Sequence, residues 1–175
     1  MKNKTAKNIL AALGYLWGGV MLTLLASLLV TGVYRMIDGG KGNNEYLVTG
    51  LVTLVLELVL ALRLFYTFGY RRKELSKHEC IISLLGGAGL HFLVSLPFHF
   101  SMYTAGVPAL YLTEYIYRVN TPDLPPEMAF TDIPVMWLVL GFLAVEALTV
   151  LCAAGGCRIG QRKRGKESEA LRGNG

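Results

Sequence analysis

Apolar positions along this chain gather into four long runs divided by short polar segments. They span about 9–33, 46–68, 80–100 and 134–155. Crossing a hydrocarbon core about 30 Å thick takes roughly 20 helical residues, and each run is long enough. A soluble core helix of such length would carry a stripe of charged residues along one side; these runs carry none. Helix is the expected state, because a strand in lipid must close into a barrel to satisfy its backbone groups. The runs also lack the alternation of barrel strands. The pattern predicts an all-α polytopic membrane protein, with four transmembrane helices in a bundle over residues 1–157. The first run begins like a signal peptide, after Lys2, Lys4 and Lys7. Its apolar part extends over some 25 residues, however, well past the usual signal core of roughly 7–15. No small-x-small cleavage site follows it, so it is expected to stay as a span.

Charge gives the spans a direction. The chain is 53% hydrophobic and only 17% charged, with mean hydropathy +0.46 and net charge +5; soluble domains are about a quarter charged. Lys2, Lys4 and Lys7, then Arg71, Arg72, Lys73 and Lys77, then six further cations after Cys157 lie on one side of the four runs. The other side has Arg35, Lys41 and Arg118. The positive-inside rule assigns the richer side to the cytoplasm. A multi-pass plasma-membrane protein with both termini cytoplasmic is therefore expected, and an even number of spans agrees. The basic excess is explained by these flanks, and no nucleic-acid motif accompanies it. Cys80, Cys152 and Cys157 fall toward the cytoplasmic ends, where thiols stay reduced. All three are expected to act as unpaired apolar filler.

Three ionisable residues interrupt the apolar runs at similar depth. Glu57, His91 and Glu146 each lie eleven or twelve residues into their spans, about 17 Å from an interface at the helical rise. Their helical neighbours are small or weakly polar. Glu57 aligns with Gly50, Thr53 and Ala61, His91 with Gly87, Ser95 and His99, and Glu146 with Thr149, Ala153 and Gly156. Packed membrane helices place such residues at their interfaces, so all three stripes are expected to face the bundle interior. A lone charge at that depth costs about 3 kcal/mol or more. A shared proton, or an ion pair with His91, would relieve it. The cluster reads in three ways: a polar clamp, a proton or cation relay, or a metal site, for which the spacing offers little. Arg63 points off this stripe, and snorkelling to the headgroups explains it.

The first span has no ionisable interior residue but carries Gly14 and Gly18 as a GxxxG pair. Such a pair lets another helix backbone approach closely, from within the chain or from a second subunit. Its Thr23, Ser27 and Thr31 row faces elsewhere and is expected to pack internally.

Residues 101–133 form the one long loop. A short interfacial helix is expected at about 109–119, with Tyr111 and Tyr115 on its apolar face as the candidate external contact and Glu114 paired with Arg118 on the other. The tail, 158–175, is basic and expected to be partly disordered. No nucleotide-binding, nucleophile-elbow or zinc pattern is present, so no cofactor or metal is expected, and an intramembrane enzyme would need a nucleophile or metal that the sequence does not show. The expectation is a non-enzymatic membrane component, either an accessory or assembly subunit or a transport-related protein. A proton- or cation-handling transporter is the alternative. Its partners would be the lipid bilayer and a membrane protein or a second copy of itself.

Overall fold

The computed structural model describes residues 2–38, 44–72, 75–99, 107–121 and 133–173. All regular structure there is helical: α1 (Lys2–Asp38), α2 (Asn44–Arg71), α3 (Lys77–His99), α4 (Val107–Asn120) and α5 (Val135–Gly173). Helices α1, α2 and α5 are long and apolar enough to cross a membrane. Only 28%, 28% and 22% of their most apolar windows are buried, so most of that apolar surface faces outward. In water such exposure would be costly; in lipid it is the stable arrangement. The third run is helical as α3 but is not among those three helices.

The chain divides into two compact units. The first comprises Met1–Gly19, Leu58–His91 and Leu148–Gly175. Its core gathers Ala12 and Leu16 of α1, Phe65 and Phe68 of α2, Cys80 and Leu84 of α3, and Ala153 and Cys157 of α5. Tyr15 packs its ring against Phe65 and Phe68 at 6.0 and 5.6 Å. Small residues set the helix spacing. A Cβ on Gly69 would strike the Cys157 backbone; one on Gly156 would strike the Leu62 carbonyl, and one on Gly160 the Tyr66 carbonyl. Between α1 and α3, a Cβ on Gly87 would come within 2.9 Å of the Ala12 side chain. Backbone contact of this kind replaces the hydrophobic drive that lipid cannot supply.

The cysteine expectation is corrected here: Cys80 and Cys157, both buried, form a disulfide, and Cys152 alone is free. Their 77-residue separation gave no sign that α3 and α5 bring them together.

At the same end, Ser76 and Glu79 form a reciprocal cap on α3. The Glu79 amide donates to Ser76 Oγ at 3.1 Å, and the Ser76 amide donates to Glu79 Oε2 at 2.8 Å. Two helix-end donors are thereby satisfied. The Ser76 amide and hydroxyl hold the Glu79 carboxyl below its ordinary value of 4.5. A carboxyl with a depressed native pKa stabilises above its unfolded pKa, and that contribution fades as pH falls through the native value. Ser76→Ala is expected to cost about 1 kcal/mol in thermal unfolding at neutral pH. The variant should also lose less stability than the wild type as pH drops below that of an ordinary carboxylate.

Helix α5 continues to Gly173, past the apolar run that ends near 155 and through most of the tail expected to be partly disordered. Its 39 residues reach about 58 Å, far more than a bilayer core needs. No proline interrupts it, and its far half is tied down. Gln161 Nε2 donates to the Leu75 carbonyl at 3.1 Å, Arg164 to the Gly69 and Arg72 carbonyls, and the Tyr70 hydroxyl to Glu167 at 2.7 Å. Arg164 thus neutralises the carbonyl end of α2, where the helix dipole favours a cation.

The second unit comprises Val20–Glu57 and Phe92–Ala147. Ala109, Phe142 and Val145 form its small apolar core, with Phe92 stacked on Phe142 at 5.5 Å. A Cβ on Gly141 would run into the Thr113 hydroxyl, so α4 sits close against α5. Of the row on α1 expected to pack internally, Thr23 and Ser27 are buried and Thr31 is half-buried.

Candidate functional site

The inward faces follow the helical period. Buried positions on α2 run Glu45, Thr49, Thr53, Glu57, Ala61 and Phe65, four residues apart throughout. On α5 they include Phe142, Glu146, Thr149, Ala153 and Cys157, and on α3 Cys80, Ser83, Leu84, Ala88 and His91. The three ionisable residues singled out by depth therefore all point inward: Glu57 is 4% exposed, His91 2% and Glu146 8%. Each has an interaction partner. The small residues aligned with them, Gly50, Thr53, Ala61, Gly87, Thr149, Ala153 and Gly156, are buried as well. The side chains of Ser95 and His99, expected on the His91 stripe, lie outside the described residues. Glu57 and Glu146 belong to the second unit and His91 to the first.

Among the described residues, Gly14 and Gly18 mediate no contact within the chain. Both are exposed, and a Cβ on either would meet nothing within 4 Å. The glycine pair that packs backbone to backbone is Gly156 and Gly160, with the same three-residue spacing. Surroundings separate the two pairs. The second lies in a run of small residues, Ala153-Ala154-Gly155-Gly156, whereas Gly14 and Gly18 flank bulky Tyr15, Leu16 and Trp17.

A second polar cluster, in the second unit, was not anticipated as such. Arg35 in the last turn of α1 donates from Nε to Oε1 of Glu45 in the first turn of α2 at 2.9 Å. Both charges also suit their helix ends. Thr31 Oγ1 lies 3.3 Å from Thr49 Oγ1 and 3.3 Å from the Tyr111 hydroxyl. The Tyr111 ring stands 6.1 Å from that of Tyr46, and the Arg118 guanidinium covers Tyr46 at 5.0 Å. Arg118 in turn donates from Nε to Glu114 Oε1 at 2.8 Å.

No protein family, curated protein or solved structure matches the chain.

Helix α4 therefore has to be read from its own contacts. The Glu114–Arg118 pair forms as anticipated, yet its face is the buried one. Side-chain exposures are 3% for Glu114 and 9% for Arg118, and Thr113 is buried beside them. Ile116 and Val119, on the apolar face, are exposed. The sequence shows an amphipathic helix but not which face its neighbours take. Here the neighbours are themselves polar, so the hydrogen-bonding face turns in. Tyr111, expected as an external contact, is half-buried and engaged by Thr31 and Tyr46; Tyr115 is half-buried too. Burial pushes the Glu114 carboxyl above its ordinary value of 4.5, against the opposing pull of Arg118.

Among the described residues, no three His, Cys, Asp or Glu side chains come together as a metal ion would require.

Proposed function

We propose that the chain is a multi-pass plasma-membrane protein of four crossings, α1, α2, α3 and α5, with both termini cytoplasmic. In this reading α4 lies at the outer interface, and the molecule is a non-enzymatic accessory, assembly or transport-related component. The supporting observation is the inverted surface of the long helices. Glutamate, threonine and glycine are turned inward while Leu25, Leu28, Leu29, Val55, Val59 and Leu151 are exposed. At 23 residues, α3 reaches about 35 Å, enough for a crossing. An accessory subunit should co-purify with a membrane partner from mild detergent; a chain recovered alone from every such extraction counts against that role.

The burial of Glu57 and Glu146, both in the second unit, favours one second reading, proton or cation handling. Ionisable side chains held in a membrane interior commonly lie on ion or proton paths. Proteoliposomes would then take up protons or monovalent cations down an imposed gradient. Glu57→Gln with Glu146→Gln should reduce that flux about tenfold or more, a typical loss for removing a proton-transfer group. Equal flux in wild type and double variant would eliminate the relay.

A further inference from the structure

A cavity of about 490 Å³ opens in the first unit between the start of α3 and the far half of α5. Its two walls share one polarity gradient. On α3, Lys77, Ile81 and Leu84 occupy one helical face in that order, and on α5 Arg162, Arg158 and Ala154 do the same, one turn apart. Both walls therefore pass from exposed cations, Lys77, Arg158 and Arg162, to apolar side chains, of which Leu84 is fully buried. Arg164 also lines the cavity but is engaged by the Gly69 and Arg72 carbonyls at the end of α2, and none of the lining residues is acidic. Among the described residues, no carboxylate forms an ion pair with Lys77, Arg158 or Arg162.

We propose that this cavity binds a membrane lipid with a doubly charged phosphate head, the phosphate at the Lys77–Arg158–Arg162 mouth and the acyl chain against Ile81 and Leu84. Three cations without a carboxylate partner favour an anion, and an arginine pair suits phosphate oxygens. The apolar interior requires that the anion carry a hydrocarbon tail, which free phosphate lacks. Basic pockets between membrane helices on the cytoplasmic side recognise lipid heads by this chemistry. The inference rests on the membrane-spanning reading above, because it needs the cavity mouth at headgroup level.

The test uses the full chain, purified in detergent and reconstituted in phosphatidylcholine nanodiscs with or without phosphatidic acid; retained lipid is counted by native mass spectrometry. Phosphatidic acid is expected to stay bound while phosphatidylcholine washes off. Lys77→Gln/Arg158→Gln/Arg162→Gln should weaken retention about a hundredfold, at roughly fivefold per near-surface cation. Arg158→Lys/Arg162→Lys, which keeps the charge, should retain most of it. Lys4→Gln/Lys7→Gln/Lys166→Gln, which removes equal charge outside the cavity, should leave retention within about twofold. Equal retention of both lipids, or equal losses in the two glutamine triples, would overturn the site. Displacement by inorganic phosphate as effective as by short-chain phosphatidic acid would overturn the lipid assignment. A chain that stays soluble without detergent would instead remove the membrane reading. A chain that requires detergent yet selects no anionic lipid would remove the cavity proposal alone.

Discussion

Gly156→Val and Gly160→Val are each expected to destabilise the protein by about 2–3 kcal/mol, the upper part of the range for overpacking a close contact. The reason is where a new side chain would land. At Gly156 it meets the Leu62 carbonyl and at Gly160 the Tyr66 carbonyl. Those are backbone atoms of α2, which cannot rotate aside as a flexible side chain can. Relief requires α2 and α5 to separate, and separation also loosens Arg164 from the Gly69 carbonyl, 3.1 Å away. For Gly14→Val and Gly18→Val, the added Cβ meets nothing within 4 Å among the described residues. They should stay within about 0.5 kcal/mol of wild type, as surface changes usually do. Thermal unfolding in one detergent, at one protein concentration, compares all four. If the Gly14 and Gly18 variants lose as much as the other pair, helix packing is not as described.

The next largest effect is expected at Arg118→Ala, about 3 kcal/mol at neutral pH, the scale for stranding one member of a buried ion pair. Glu114 would remain in its inward position without the 2.8 Å donor and with little water to replace it. Burial already raises its pKa, with Arg118 opposing, so the variant should raise it further. The sign follows from linkage. A carboxyl whose native pKa exceeds its unfolded value favours the native state most below the unfolded value, and this advantage is lost as pH rises through the native one. The penalty of Arg118→Ala should therefore shrink on acidification, measured as unfolding against pH. Glu114→Leu/Arg118→Leu should cost less than Arg118→Ala, since apolar replacement leaves no stranded charge. A penalty independent of pH would mean that Arg118 acts by packing on Tyr46 rather than by charge.

How much of this was legible beforehand depends on whether the signal is local. The α2 stripe was, because period and composition agree there. Gly50, Thr53, Glu57 and Ala61 return to one side every three or four residues amid Leu and Val, and all are buried. The inward turn of His91 and Glu146 followed from the same rule. What could not be read needed information from another helix. The Glu114–Arg118 pairing is local and was visible, but the side of α4 that packs depends on Thr31, Tyr46 and Thr49, which supply polar neighbours to bury against. The two glycine pairs have identical spacing, and only the flanking bulk at Tyr15 and Trp17 marks the first as unsuited to tight approach. Ser76-Lys77-His78-Glu79 carried a cap signature in plain view. The Cys80–Cys157 pairing had no local signature.

That disulfide bears on sidedness, which carries the proposed function. Charge bias sends the ends of α2 and α5 that surround it to the cytoplasm, whereas disulfides persist in oxidising compartments. The two arguments pull in opposite directions, and labelling decides between them. Single added cysteines at Asn44, Asn120 and Ser168 would be treated with a membrane-impermeant maleimide in intact cells, against the unaltered chain as background. The account predicts labelling at 44 and 120 from outside and at 168 only after permeabilisation. Labelling at 168 in intact cells, with 44 and 120 protected, would contradict it.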